Sequence, residues 1–394
     1  MKIAIVGAGI AGPTLAYWLW RYGHEPTLIE KAPRLRTGGY VVDFWGGGYA
    51  VAERMGLADE LQAAGYVVQE VRLVNENSRR LGGFSTESFR RNLDGRFVTV
   101  SRGDLAAAIY GLIDHHVETL FGESVSAVTQ HDSGVRVTLE SGQSRQFDLL
   151  VGAGGIHSPV RNLVFGQESR CETDLGYRVA ALEADGYQPR DELVYLAYTM
   201  PGRMIARFAM RGEKTLLFFI FTADRMSGPD PQDVSQAKTA LRQVFGDAGW
   251  ECREILRHVD AAADVYFDRA SQIILDRWSN GRVVLIGDAA AAVSLLAGEG
   301  AGLAMVQAYI LAGEISAAGA DHQDAFRRYE QRLRPIVEAR QRSARGFGAM
   351  FAPRTALGLW TRNQASRLLN ITPLADWIVR REFRDDIALP EYVG

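Results

Sequence analysis

Residues 3–12 read Ile3-Ala4-Ile5-Val6-Gly7-Ala8-Gly9-Ile10-Ala11-Gly12, and no other stretch narrows the possible folds as far. Four apolar residues in a row predict a strand buried on both faces of a parallel sheet. Each glycine after it has its own duty. Gly7 makes the tight turn, Gly9 lets backbone approach a diphosphate, and Gly12 lets the next helix pack on the strand. That helix, predicted over 11–22 and stopped at Gly23, aims free N–H groups and its positive dipole end at the loop around Ala11. Thr27-Leu28-Ile29 predicts the second strand, closed by Glu30 and Lys31. A carboxylate at that strand end accepts both ribose hydroxyls of an adenosine and repels a 2′-phosphate, which selects FAD or NAD over NADP.

A second segment of the same kind lies far downstream: Arg282-Val283-Val284-Leu285-Ile286-Gly287-Asp288-Ala289-Ala290. Taken alone, Gly-Asp after a strand is a common turn. A nicotinamide dehydrogenase needs only the first segment, whereas a chain that holds one long dinucleotide from its AMP half to its isoalloxazine needs both. The pair therefore reads as an FAD site, with Asp288 placed to accept a hydrogen bond from a ribityl hydroxyl. Ala297-Gly298-Glu299-Gly300-Ala301-Gly302 then feeds a helix predicted over 303–315. The loop of Leu296, Gly298 and Gly300 is expected beside the isoalloxazine. The helix N-terminus at Gly300, Ala301 and Gly302 is expected to stabilise the negative charge of the reduced flavin.

Between these ends, 125–128, 135–139 and 147–151 predict a β-meander with turns at Ser133-Gly134 and Ser141-Gly142. Ser101-Arg102-Gly103-Asp104 opens a helix, with Asp104 near its N-cap. Arg102 has two readings: a solvated charge at a helix start, or a charge-assisted contact to a flavin phosphate or ribityl chain.

At 394 residues the chain exceeds the usual size of one core, so two lobes are expected. A net charge of −3 gives no electrostatic case for nucleic acid or an acidic partner, and none is expected. Cys171 and Cys252 are too few for a disulfide framework and lack metal spacing, and the first strand begins at Lys2 without room for a leader; the expected location is the cytoplasm. No apolar run is read as approaching a membrane span. His157, His258, His115 and His116 show no ligand spacing, so no metal is expected.

Residues 171–267 differ in character. Strands are predicted over 193–198, 204–210 and 216–221 and a helix over 234–245, an antiparallel sheet against the first lobe. Phe208, Phe218, Phe219, Phe221 and Met210 either line a pocket for an aromatic substrate or form core. Arg203 and Arg207 share one strand face and either meet an anionic or phenolate substrate or lie in solvent. A helix over 323–345 is expected to kink or break at Pro335. The apolar-basic segment through Leu357, Trp360, Leu368 and Trp377 either lies on a membrane surface or packs across both lobes and closes one end of the pocket.

Three ordered motifs resemble the class A flavin monooxygenases, the para-hydroxybenzoate hydroxylase-like family: Gly7 to Gly12, Asp148-Leu149-Leu150-Val151-Gly152-Ala153-Gly154-Gly155-Ile156-His157-Ser158-Pro159-Val160-Arg161, and Gly287-Asp288-Ala289-Ala290. The stretch Tyr266-Phe267-Asp268-Arg269 and the loop Gly38-Gly39-Tyr40-Val41-Val42-Asp43-Phe44 are similar too; in relatives that loop passes near the flavin. Among members, the resemblance leans toward antibiotic- and polyketide-modifying enzymes, tetracycline-inactivating ones included. It implies an α/β fold. A Rossmann-like FAD lobe would span 1–73, 98–170 and 268–345, an α+β substrate lobe 74–97 and 171–267, and C-terminal helices 346–394. It implies a monooxygenase, monomeric or weakly dimeric, in which NAD(P)H reduces FAD and O2 adds at flavin C4a. The hydroperoxide then hydroxylates an aromatic or polyketide-like small molecule. No nucleophile-and-base triad is expected. Relatives carry Asp at Gly154, often Pro at Leu295 and Gln at Glu299. The first difference bears on the reductant site and keeps open a flavoprotein that uses FAD structurally or in a non-oxygenating step. An NAD-dependent dehydrogenase is the third reading, opposed by the downstream Gly287-Asp288.

Overall fold

The computed structural model describes residues 1–35, 40–93, 95–382 and 387–392; Gly38 and Gly39 of the loop noted above lie outside the described residues. The first sheet contains β1 (Lys2–Val6), β2 (Glu25–Glu30), β7 (Glu118–Phe121), β11 (Leu149–Gly152), β17 (Ser279–Asn280) and β18 (Val283–Leu285), in the order β17-β18-β11-β1-β2-β7. β1 runs parallel to both neighbours, and Ile3, Ala4 and Ile5 are wholly buried, which is why the strand is apolar at every position. On one face α1 (Ala11–Arg21) packs against α10 (Gly300–Ala318), and α2 (Gly46–Arg54) crosses α10. Glycine is required at that crossing: a Cβ on Gly48 would stand 2.3 Å from Gly302 Cα. α3 (Ala58–Ala64) and α5 (Arg102–Gly111) pack together beside α1. The ribbon of β3 (Val41–Trp45) and β6 (Phe97–Ser101), and the meander β8 (Val125–His131), β9 (Gly134–Leu139) and β10 (Ser144–Phe147), complete this lobe, with α6 (Pro159–Val164) packed on β8.

The second sheet has seven strands in the order β16-β12-β15-β14-β13-β4-β5: β4 (Glu70–Val74), β5 (Arg80–Ser85), β12 (Glu172–Asp185), β13 (Val194–Met200), β14 (Arg203–Ala209), β15 (Lys214–Thr222) and β16 (Tyr266–Ile273). It is antiparallel except where β13 pairs with β4, strands that arrive from different passes of the chain. β4 begins at Glu70 and β16 ends at Ile273, so the chain enters this sheet before residue 74 and leaves it after residue 268. One face is covered by α7 (Val234–Phe245) and α8 (Cys252–Ala261). There Ile205, Leu217, Phe219 and Phe221 meet Leu241, Phe245 and Ile255. The other face looks toward the first lobe.

α11 (His322–Ala344) runs through Pro335 without the break that was one of the two expectations there; the other hydrogen bonds of its 23 residues and its buried stripe outweigh the one donor the proline lacks. Beyond it, α12 (Phe347–Phe351), α13 (Ala356–Leu368) and α14 (Thr372–Glu382) lie across the second lobe. α13 comes down on β5 because Gly82 and Gly83 leave room there: Gly83 N–H donates to Ser366 Oγ at 2.9 Å, and a Cβ on Gly82 would stand 2.6 Å from it. α14 is tied to α4 (Glu87–Asn92) by Asp376 with Arg91. α10 is long and apolar enough to cross a membrane, contrary to the sequence reading, but most of it is buried inside the protein.

Candidate active site

The two glycine segments from opposite ends of the chain meet in one place. Gly7 (φ +113°) and Gly12 are both obligatory: a Cβ on Gly7 would stand 2.5 Å from Ala153 O, and one on Gly12 would stand 1.9 Å from Gly7 O. α1 begins at this loop without a side-chain cap or an acidic residue in its first turn, which leaves its N–H groups for a bound anion. Glu30 is oriented by backbone: Ala8 N–H donates to Oε2 at 2.7 Å and Ala32 N–H to Oε1 at 2.9 Å. Lys31 next to it is exposed. Arg102 stands over the loop, with its Nη2 3.3 Å from where a Gly9 Cβ would be, and its N–H donates to Tyr40 O at 3.1 Å. Ser101 caps α5, with Asp104 in the first turn as expected: the Ser101 Oγ accepts from Asp104 N–H at 3.1 Å.

Gly287 (φ +61°) reaches the same point, and a Cβ there would stand 3.1 Å from Ala11 Cβ. Its N–H donates to Gln307 Oε1 at 2.9 Å, an oxygen that also lies 2.9 Å from the buried Tyr329 hydroxyl. Asp288 opens α9 (Asp288–Ala291) and is exposed to the groove. Crowding by the groove walls pushes its carboxyl above the usual range, and Arg102 opposes the shift. Gly300 follows, its Cβ position 3.8 Å from Asp288 Oδ1. One continuous groove thus passes from Glu30 under Arg102 to Asp288 and the start of α10, and its donors and acceptors suit a diphosphate flanked by two polyols.

The family described as FAD binding domain matches residues 1–344. A flavin-dependent monooxygenase from an unknown prokaryotic organism is 35% identical over 347 residues, covering 86% of this chain and 87% of its own length. The chain belongs to the FAD-dependent monooxygenases. An uncharacterised protein of Mycobacterium tuberculosis is 36% identical over 347 residues, covering 86% of this chain and 92% of its own length. Among solved structures, the tetracycline destructase Tet(55) is 31% identical with a TM-score of 0.83, and covers 99% of this chain and 98% of its own.

In this FAD-dependent monooxygenase, the middle motif is tied to α9 by Arg161. That side chain is wholly buried and donates to Ala289 O at 3.4 Å, Glu168 Oε2 at 3.0 Å and Ile156 O. His157 lies 3.0 Å from Glu168 Oε1 and 3.5 Å from Asp268 Oδ2; its bond to Asp268 is the main cause that raises it to about 9. Gly154 is confined, since a Cβ would stand 3.1 Å from Pro159 Cδ.

The loop after α9 borders a cavity of about 1710 Å³, lined by Leu295, Leu296, Ala297 and Gly298 on one side and by the open face of the second sheet on the other. Gly298 turns at φ +71°, and Glu299 is held by Arg340 of α11 at 2.6 Å. Gly302 is occupied with the Gly48 crossing. From β14 and β15 the cavity receives Met204, Ala206, Phe208, Leu216 and Phe218. Two expected substrate contacts belong elsewhere. Arg203 and Phe219 point to the opposite face of the sheet: Arg203 donates to Asp247 Oδ1 and Val244 O, both at 2.5 Å, and Phe219 packs on Phe245. Arg207 shares that face and is buried with Glu251 at 2.8 Å and Asp191 at 2.7 Å, so neither reading made for this pair, substrate contact or solvent, describes it. Phe208 is on the cavity side, as expected for a pocket.

Asp43 is a site residue that sequence reasoning quoted in a loop without assigning it a role. It lies opposite Thr99 across β3 and β6, accepts from Thr99 Oγ1 at 2.5 Å and bonds Tyr195, at the boundary of the cavity and the Gly298–Gly302 turn. Burial raises its carboxyl, and the hydrogen bonds from Thr99 and Tyr195 oppose that shift. Its signal was absent from the sequence because its two partners, Thr99 and Tyr195, come from two other passes of the chain.

Proposed function

We propose that this monooxygenase hydroxylates an aromatic or polyketide-like small molecule with NAD(P)H and O2, as a cytoplasmic monomer or weak homodimer. The observation that carries this reading is the large apolar cavity opening on the loop Leu295–Gly298, beside the dinucleotide groove. Its volume exceeds that of ordinary drug-sized sites, so a flavin ring edge and a multi-ring substrate fit together. FAD, when bound, supplies the redox chemistry. The chain's own part is to hold and orient. Gly7, Gly9, Ala11 and Gly12 would present backbone to the diphosphate, Glu30 and Lys31 would meet the adenosine end, and Arg102 and Asp288 the phosphate and ribityl chain. Gly298, Gly300, Ala301 and Gly302 would present the N-terminus of α10 to the flavin pyrimidine. The cavity walls exclude water. The resemblance to the tetracycline destructases Tet(51) and Tet(55), each with a TM-score of 0.83, supports polycyclic polyketide antibiotics as a substrate class.

The test is anaerobic mixing of the FAD-loaded protein with NADPH or NADH, with and without a panel of phenols and tetracyclines. Bleaching of the flavin band, accelerated by one compound whose mass then rises by one oxygen atom in air, is the expected result. Gly154 favours a second reading, a flavoprotein that does not oxygenate. Bleaching by dithionite alone would select it, and Gly154→Asp would then be the first reversion to make.

A further inference from the structure

Among the described residues, four arginines touch the cavity lining: Arg340, Arg354 and Arg362, and also Arg207, whose guanidinium turns to the helix-covered face of the sheet. Three of them face a carboxylate. Arg207 has Asp191 and Glu251, Arg340 has Glu299, and Arg354 has Asp224 at 3.8 Å. Arg362, on α13, has no acidic partner among the described residues. Its Nη1 donates to Met350 O at 3.0 Å and its Nη2 to Thr199 Oγ1 at 2.9 Å, while its Nε is buried without a partner. A guanidinium carries five N–H donors, so most of them remain free.

A charge taken out of water and left unpaired is costly, and protein chains commonly pair or neutralise it. Two neutral acceptors tie Arg362 in place without neutralising it. A purely structural tie between α13, α12 and β13 would be served by a neutral amide. Burial is the cause that lowers the guanidinium to about 10, and among the described residues no neighbouring carboxylate opposes it. Elsewhere the wall around Arg362 is apolar or hydroxylic: Ala365, Ser366, Leu369 and Thr361 come from the same stretch of chain.

We infer that Arg362 is an anion-recognition residue. It binds a carboxylate or enolate of an otherwise apolar, ring-bearing substrate, at the wall of the cavity formed by α13. A planar anion pairs with the planar guanidinium fork better than any neutral group of the same shape. This inference rests on the cavity being the substrate site. It moves anion binding from Arg203, where the sequence suggested it, to the opposite face of the sheet and to the C-terminal helices.

The experiment uses the FAD-loaded full chain and three probe pairs: hydroxylated benzoate, naphthoate and anthroate, each against its primary amide. Binding is read from perturbation of the flavin spectrum in wild type, Arg362→Gln and Arg362→Met. In wild type at least one acid is expected to bind 10-fold or more tighter than its amide. In Arg362→Gln that preference should vanish while affinity for the amide and FAD content stay unchanged. Arg362→Met should raise the melting temperature, because an unpaired buried charge is gone. Equal binding of acid and amide, no binding of any pair, a preference that survives Arg362→Gln, or a lower melting temperature in Arg362→Met overturns the inference. Failure of the monooxygenase reading is seen separately, as a flavin that NAD(P)H does not reduce.

Discussion

Asp288 is the residue on which the flavin half of the groove turns. The chain places its carboxylate at a helix start, exposed to the groove and facing Arg102, and crowding already disfavours its charge. Replacing it with Ala removes an acceptor that no neighbour can replace. Asp288→Ala should weaken FAD binding about 10- to 100-fold, the usual worth of a lost hydrogen bond to a charged group; stoichiometric FAD at nanomolar concentration would refute its role. His157 carries the clearest pH dependence. Its pKa rises from 6.5 unfolded to about 9 folded, mainly through Asp268, so the stabilisation is full below the lower value and lost as pH passes the upper one. Melting temperature should therefore fall between pH 6.5 and about 9 in wild type and stay flatter in His157→Gln. The side chain is more than half exposed, so the effect is small. Asp288 was legible in its motif with a role, whereas His157 was quoted in one without a role. Asp43, Arg161 and Arg362 were not assigned, because their meaning depends on what they face: Thr99 and Tyr195, the carbonyl of Ala289, and, among the described residues, no carboxylate.

At the scale of elements, close backbone approach is the recurring device. α2 and α10 touch at Gly48 and Gly302, and the added methyl of Gly48→Ala would stand 2.3 Å from Gly302 Cα. That substitution should force the helices apart at a cost of about 1–3 kcal/mol, measured by denaturant unfolding, and loosen FAD as α10 shifts. An unchanged midpoint would mean that the helix crossing yields to the added methyl without cost. Some helix and strand positions were readable from period: the helix predicted over 234–245 coincides with α7, whereas α8 and β12 were not predicted. The faces of β14 and β15 were not readable. Met204 and Ile205, or Phe218 and Phe219, are equally apolar because both faces of the sheet are covered. Alternation then loses its polarity signal, and a choice that is off by one residue sends Arg203 and Phe219 to the wrong side.

On the scale of the molecule, the FAD groove is made where the first and last thirds of the chain meet, so the cofactor acts as a clamp between them. Removing FAD should lower the melting temperature. At a free FAD concentration 1,000-fold above Kd, the stabilisation regained is about 4 kcal/mol, readable by calorimetry on apo and reloaded protein. A melting temperature indifferent to FAD would separate the groove from the fold. The sequence by itself determined the cofactor class and the lobe that holds it. Glycines at Gly7, Gly12 and Gly287 answer to backbone geometry that local chemistry dictates, and a carboxylate ending a strand has few other uses. Only the tertiary structure decided the substrate cavity. Its wall is assembled from β3, β14, β15, α11 and α13; the sequence raised a pocket for the aromatics of β14 and β15 and for the segment through Leu357 and Trp360, but could not choose it over core or a membrane surface. Whether an arginine there is paired or alone is a relation between distant segments, and sequence order does not encode it.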